Sequence, residues 1–133
     1  MAISAAQLLA GVAGHLIAVR QHRAFDVAVI GWRGRPDRVA RDSWLIGTGL
    51  SAPVVMLAAQ VVATARLALG PSPAASGTLA GLGVVMSCGY LVEQEFRNAV
   101  SPAGWDRRVT PVATTGFVLA VATAVVACRS GLD

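Results

Sequence analysis

Lysine is missing from this chain, and charge of either sign is scarce. Asp, Glu, Lys and Arg together make up 14% of the 133 residues, where a soluble domain carries about 25%. With 55% hydrophobic residues and a mean hydropathy of +0.62, the composition excludes an ordinary soluble enzyme. It also excludes a nucleic-acid partner, despite a pI near 10.5. There are only two cysteines, Cys88 and Cys128, and no C-x-x-C pair. On the spans assigned below they lie at different membrane depths, beyond disulfide reach. Thiol–disulfide chemistry is therefore not expected. No His/Cys cluster has zinc spacing, and no Asp-rich diphosphate motif occurs, so neither a metal nor a cofactor is expected.

What remains is apolar sequence in long runs. A helix needs about 20 predominantly apolar residues to cross a bilayer, and four runs qualify: 2–22, 44–69, 74–95 and 109–128. The expectation is one all-α domain over 1–133, an integral membrane four-helix bundle in the cell membrane with lipids as neighbours. The first run lacks a basic leader and an A-x-A cleavage pattern, so it is expected to be retained. Nine of the eleven arginines fall at the end of run one (Arg20), between runs one and two, or between runs three and four. Basic loops stay in the cytoplasm, which predicts both termini on the non-cytoplasmic side.

Within the first run, Ser4, Gln7, Gly11, Gly14, Ala18 and His22 recur at helical steps. In lipid such a stripe of small and polar residues faces other helices. A helix continued past the membrane edge would bring His15, His22 and Asp26 onto one side. Asp42 and Ser43 are candidate N-caps for the second run. That run carries Gly47, Gly49, Ser51 and Pro53, which predict a kink near Gly49 and a wider space beside it. Gly77-x-x-x-Gly81 suits a close contact with another helix, in this chain or in a homodimer.

Chemistry gathers at one end. All seven aromatics and six of the seven acidic residues lie in the arginine-rich loops or the membrane half beside them. Glu93 and Glu95 end the third run. Acidic groups at membrane depth are candidates for function, and burial keeps such a carboxyl protonated and ready to act as an acid. Glu93 has a competing role, pairing with Arg97 one turn on. Counted along one continuous helix, Glu95 shares a face with Gly77, Gly81 and Cys88 and points at neighbouring helices. His15, the deepest imidazole, either relays protons or bonds to Gln60 or a threonine.

With four spans, no metal motif, the Tyr90–Asn98 segment and the loop acids Asp26 and Asp42, the chain resembles the small integral-membrane terpene cyclases of actinobacterial natural-product pathways. The resemblance covers the whole chain as architecture and implies a hydrophobic isoprenoid substrate. It also implies a membrane carboxylic acid that protonates an epoxide or a terminal alkene. Glu95, Glu93 and Asp26 are the catalytic candidates. Substrate-binding candidates are His15, Trp44, Tyr90 and Phe117, with Trp44, Tyr90 and Phe117 as ring walls for a carbocation. The competing reading is a small transporter or channel, or an accessory subunit of a membrane complex.

Overall fold

The computed structural model describes residues 1–27 and 30–130. Three helices are long and apolar enough to cross a membrane: α1 (Ala2–Arg20), α4 (Pro73–Val92) and α6 (Thr110–Ser130). These are the properties of a multi-pass membrane protein. Three shorter helices, α2 (Val39–Asp42), α3 (Val54–Ala68) and α5 (Gln94–Ala99), bring the count among the described residues to six. A small antiparallel hairpin, β1 (Asp26–Val27) with β2 (Trp32–Arg33), sits in the first long connection.

The expected bundle of four spanning helices is therefore wrong, and so are several of its boundaries. Where a helix was expected from residue 44, ten residues remain irregular and α3 begins only at Val54. Its 15 residues reach roughly 22 Å, against about 30 Å of hydrocarbon. The cause is local. Gly47 adopts φ +99, and Pro53 stands directly before α3 as its N-cap. Asp42 and Ser43 accordingly close α2 instead of capping α3. The third expected run divides at Glu93, whose extended backbone (φ −77, ψ 121) separates α4 from α5. Helical phase is lost at that residue, so Glu95 does not share a face with Gly77 and Gly81. The first helix ends at Arg20, and His22 takes a positive φ of 52, which removes the shared side expected for His15, His22 and Asp26.

α6 packs along α4 and α1, while α3 completes the ring between α1 and α4. Met1, the α3–α4 turn and Ser130 border one cleft, so both ends of the described bundle lie at the end opposite the hairpin. The buried residues of α1 are Ser4, Gln7, Gly11, Gly14 and Ala18, the stripe expected to face other helices. Its polar members bond across the bundle. Ser4 Oγ lies 2.6 Å from Thr64 Oγ1, and Gln60 Nε2 donates to Ser4 O at 2.9 Å. Interhelical bonds of this kind hold helices together where water is absent. α4 and α6 approach closely at Gly83, where a Cβ would stand 2.7 Å from Ala124 N. The glycines expected to mediate contact, Gly77 and Gly81, have nothing within 4 Å of such a Cβ.

The irregular segment is closed on itself. The N–H groups of Val54 and Val55, free at the start of α3, donate to Ser43 O and Trp44 O at 3.0 and 3.3 Å. Thr48 and Ser51 exchange backbone bonds, and Leu50, 2% exposed, joins a core with Ala18, Phe96, Ala99, Val109 and Ala113. Gly14 makes room for this insertion: a Cβ there would stand 2.5 Å from Leu50 O. Replacing Gly14 by Ala is expected to cost about 1–3 kcal/mol as overpacking. Gly77→Ala should be neutral or slightly stabilising, since alanine favours helix. Thermal unfolding in detergent checks the pair, and equal midpoints would refute the close fit at Leu50.

Candidate functional site

Glu93, at the break between α4 and α5, lines an apolar recess, while Glu95 two residues on lines a separate polar space. The Glu93 backbone forms an isolated antiparallel bridge with Val27, and Glu93 Oε1 accepts the N–H of Asp26 at 2.7 Å. The hairpin thus covers the carboxyl, and Glu93 is only 8% exposed. The recess, of about 220 Å³, lies between the Ile46–Pro53 segment and the last turns of α4. Val27, Met56, Val85, Met86, Tyr90 and Val92 contribute to its lining. Three of the lining residues, Ile46, Val85 and Val92, are exposed on the outer surface, so the recess opens at the side of the bundle.

The polar space, of about 380 Å³, is lined by residues that include His22, Arg23, Asp26, Arg33 and Glu95. Charge is paired here. Arg23 Nη1 lies 2.7 Å from Glu95 Oε2, and its Nη2 lies 3.8 Å from Asp106 Oδ2. Arg33 Nε holds Asp26 Oδ2 at 2.9 Å, and Phe25 meets Trp32 edge-on at 4.9 Å. The N–H groups of Arg108 and Val109 hold the Asp106 carboxyl below the usual carboxylate range. Those bonds also fix the turn into α6, because Asp106 Oδ1 accepts both N–H groups.

Electrostatics separate the two glutamates. Desolvation pushes the Glu93 carboxyl, the first group beyond α4, up to about 7. The N–H groups of Asp26 and Glu95 oppose the shift, and the charges of Asp26 and Glu95 add to it. Glu95 has a guanidinium beside it instead. The Arg97 pairing considered for Glu93 does not form among the described residues; a backbone N–H takes its place.

The seven candidates divide among separate places. Glu93 and Tyr90 line the apolar recess, while Asp26 and Glu95 line the polar space. His15 and Trp44 line a third space, a groove between α1 and α3. Phe117 packs behind Tyr90 at 6.1 Å, with Phe96 completing an aromatic trio. Trp44 therefore does not share a wall with Tyr90 and Phe117. Among the described residues His15 bonds to neither Gln60 nor a threonine, and Gln60 instead donates to Ser4 O. Sequence reading missed Val27, Thr48, Ser51, Met56 and Met86 as lining residues. The helix breakers at positions 47, 49, 51 and 53 were the available signal for the wider space, and the hairpin cover had none. No group of three or more potential metal ligands occurs among the described residues. No family model matches the chain, and neither a curated protein nor a solved structure matches it.

The buried carboxyl has a consequence for stability. Glu93 holds its proton more tightly folded than unfolded, where an ordinary Glu titrates near 4.5. Stability should therefore fall as pH rises from about 4.5 to about 7, and the loss is complete above that window. Its size is at most about 3 kcal/mol. Glu93→Gln removes this contribution and should unfold at a higher temperature than the parent at pH 8. A parent-minus-variant difference that stays flat from pH 4 to 8 would refute the burial effect.

Proposed function

We propose that this chain is a membrane enzyme that protonates a hydrophobic isoprenoid and so initiates cyclisation, with Glu93 as the acid. The observation that carries this reading is a carboxyl, 8% exposed, at the wall of an apolar recess that opens at the side of the bundle. A general acid works best when its pKa lies near the operating pH, and burial pushes Glu93 up to about 7. The recess, about 220 Å³, is smaller than the roughly 300–1,000 Å³ of drug-sized sites. It suits the reactive end of a prenyl chain whose remainder lies in the leaflet.

In the proposed step, Glu93 delivers its proton to an epoxide oxygen. The C–O bond opens as an internal alkene supplies the electron pair for a new C–C bond. The resulting cation ends by losing a proton, so the overall change is an isomerisation. An alkene substrate would take the proton at carbon instead. Tyr90, lining the recess, offers a ring to the cation, and the apolar lining keeps water from capturing it early. Asp26 positions the acid through its backbone N–H. Glu95, paired to Arg23, holds the surrounding loops together. Transport gains less support, because Ser4, Gln60 and Thr64 bond to one another instead of forming a polar path.

Membranes containing the protein should convert at least one member of a panel of prenylated and epoxidised polyprenyl compounds to a cyclic product. Glu93→Gln should lower that rate about 100-fold or more, whereas Glu95→Gln should leave the product identity unchanged. The rate should decline as pH rises through about 7, when Glu93 loses its proton. Full activity in a folded Glu93→Gln protein would overturn the assignment. No conversion across the panel would overturn the enzyme reading.

A further inference from the structure

Between the hairpin and the irregular segment, a 3-10 turn (Pro36–Arg38) runs into α2. The turns continue past α2, where the N–H groups of Trp44 and Leu45 donate to Arg41 O and Asp42 O at 3.4 and 3.3 Å. Val39 and Ser43, one turn apart, are buried and fix the side that meets the bundle. Arg38, Arg41, Trp44 and Leu45 are exposed and lie on the opposite side by helical spacing. This surface stands level with the end of α1, because Ala40, Ser43 and Trp44 border the same groove as Val19, and Arg20 ends that helix.

Charge is not balanced there. Asp37 is shared by two arginines, with Arg35 Nε at 3.1 Å and Arg38 Nε at 3.9 Å. Neither Arg20 nor Arg41 pairs with a carboxylate among the described residues. Arg20, Arg35, Arg38 and Arg41 stand against Asp37 and Asp42, which leaves two positive charges in excess. Beside them Trp44 is 60% and Leu45 77% exposed. A nucleic acid or an acidic protein segment would answer the charge and leave these two side chains wet. The boundary between lipid headgroups and acyl chains answers both, since tryptophan and leucine enter its apolar side while guanidinium groups reach phosphate. A zwitterionic headgroup sets its own ammonium against its phosphate and leaves the excess unbalanced. An anionic headgroup neutralises it.

We propose that the surface formed by Arg38, Arg41, Trp44 and Leu45, with Arg20 beside it, binds the headgroups of anionic phospholipids. The arginines take the phosphates, and Trp44 and Leu45 enter the layer beneath them. Membrane orientation needs only a count of basic residues in the loops; this surface in addition selects the lipid. The inference stands apart from the cyclisation reading, because its measurement is lipid retention and not turnover.

The test extracts the full chain from nanodiscs holding equal amounts of phosphatidylglycerol and phosphatidylcholine, and native mass spectrometry counts the lipids retained. Phosphatidylglycerol should be retained at least about fivefold over phosphatidylcholine, the value of one arginine at a charged surface. Replacing Arg38 and Arg41 together by Gln should remove most of that preference, and replacing both by Lys should keep most of it. Arg66→Gln with Arg129→Gln, in the last turns of α3 and α6, should leave it unchanged. Equal retention of the two lipids by the parent overturns the proposal outright. So does a folded double Gln variant that keeps the parent ratio, or an equal fall on replacing Arg66 and Arg129, which marks unselective charge attraction. Should the double Gln variant not fold, Arg41→Gln alone removes a side chain without an ion-pair partner among the described residues. It should still lower the ratio, and an unchanged ratio overturns the proposal equally.

Discussion

Backbone N–H and C=O groups in apolar surroundings must find partners inside the protein, and the ten residues before α3 are where this constraint shapes the molecule. Irregular backbone at membrane depth is tolerated only where protein buries it or where it lines a cavity. Here both conditions are met. Ser43 and Trp44 carbonyls accept the first free N–H groups of α3, Thr48 and Ser51 satisfy each other, and Gly49 N donates to Arg23 O at 3.4 Å. Gly14 lets Leu50 enter the core. Ile46 and the residues from Thr48 to Pro53 border the recess that contains Glu93.

The two ends of the bundle solve the same problem by different means. Away from the hairpin, Ser4, Gln60 and Thr64 join α1 to α3 with neutral hydrogen bonds. Toward the arginine-rich loops, Arg23 reaches Glu95 and Asp106, and Arg33 reaches Asp26. These ion pairs are partly exposed, so each adds modest stability. The hairpin itself is held against the end of α4 by the Val27–Glu93 bridge and by the Asp26 N–H on Glu93 Oε1, which buries Glu93. One glutamate is then shielded beside apolar side chains while its neighbour two residues on is neutralised by arginine. A single short segment supplies two carboxyls with different chemistry.

Much of the architecture was legible. The apolar runs marked α1, α4 and α6 to within a few residues, since lipid-compatible length is written directly in composition. The small and polar stripe of α1 was also readable, because helical spacing alone determines which residues share a face. Among the glycines, the contact within this chain falls elsewhere than the spacing suggested. Gly77 and Gly81 have the familiar spacing but no close neighbour, whereas Gly83 and Gly14 carry the contacts. Spacing marks the places where close approach is permitted; the neighbouring backbone decides where it happens.

The sequence by itself determined the membrane character, the concentration of arginine, acid and aromatic groups at one end, and the interruption near Gly49. Each follows from local composition or from residues within a turn of one another. Only the tertiary structure decided that Glu93 is covered by Asp26, that Glu95 is paired to Arg23, and that His15 lies with Trp44. Those neighbours are 67, 72 and 29 positions apart, and no local rule relates residues at such separations. Burial and ion pairing, which set the charge of a carboxyl, come from whichever distant segment the fold places beside it.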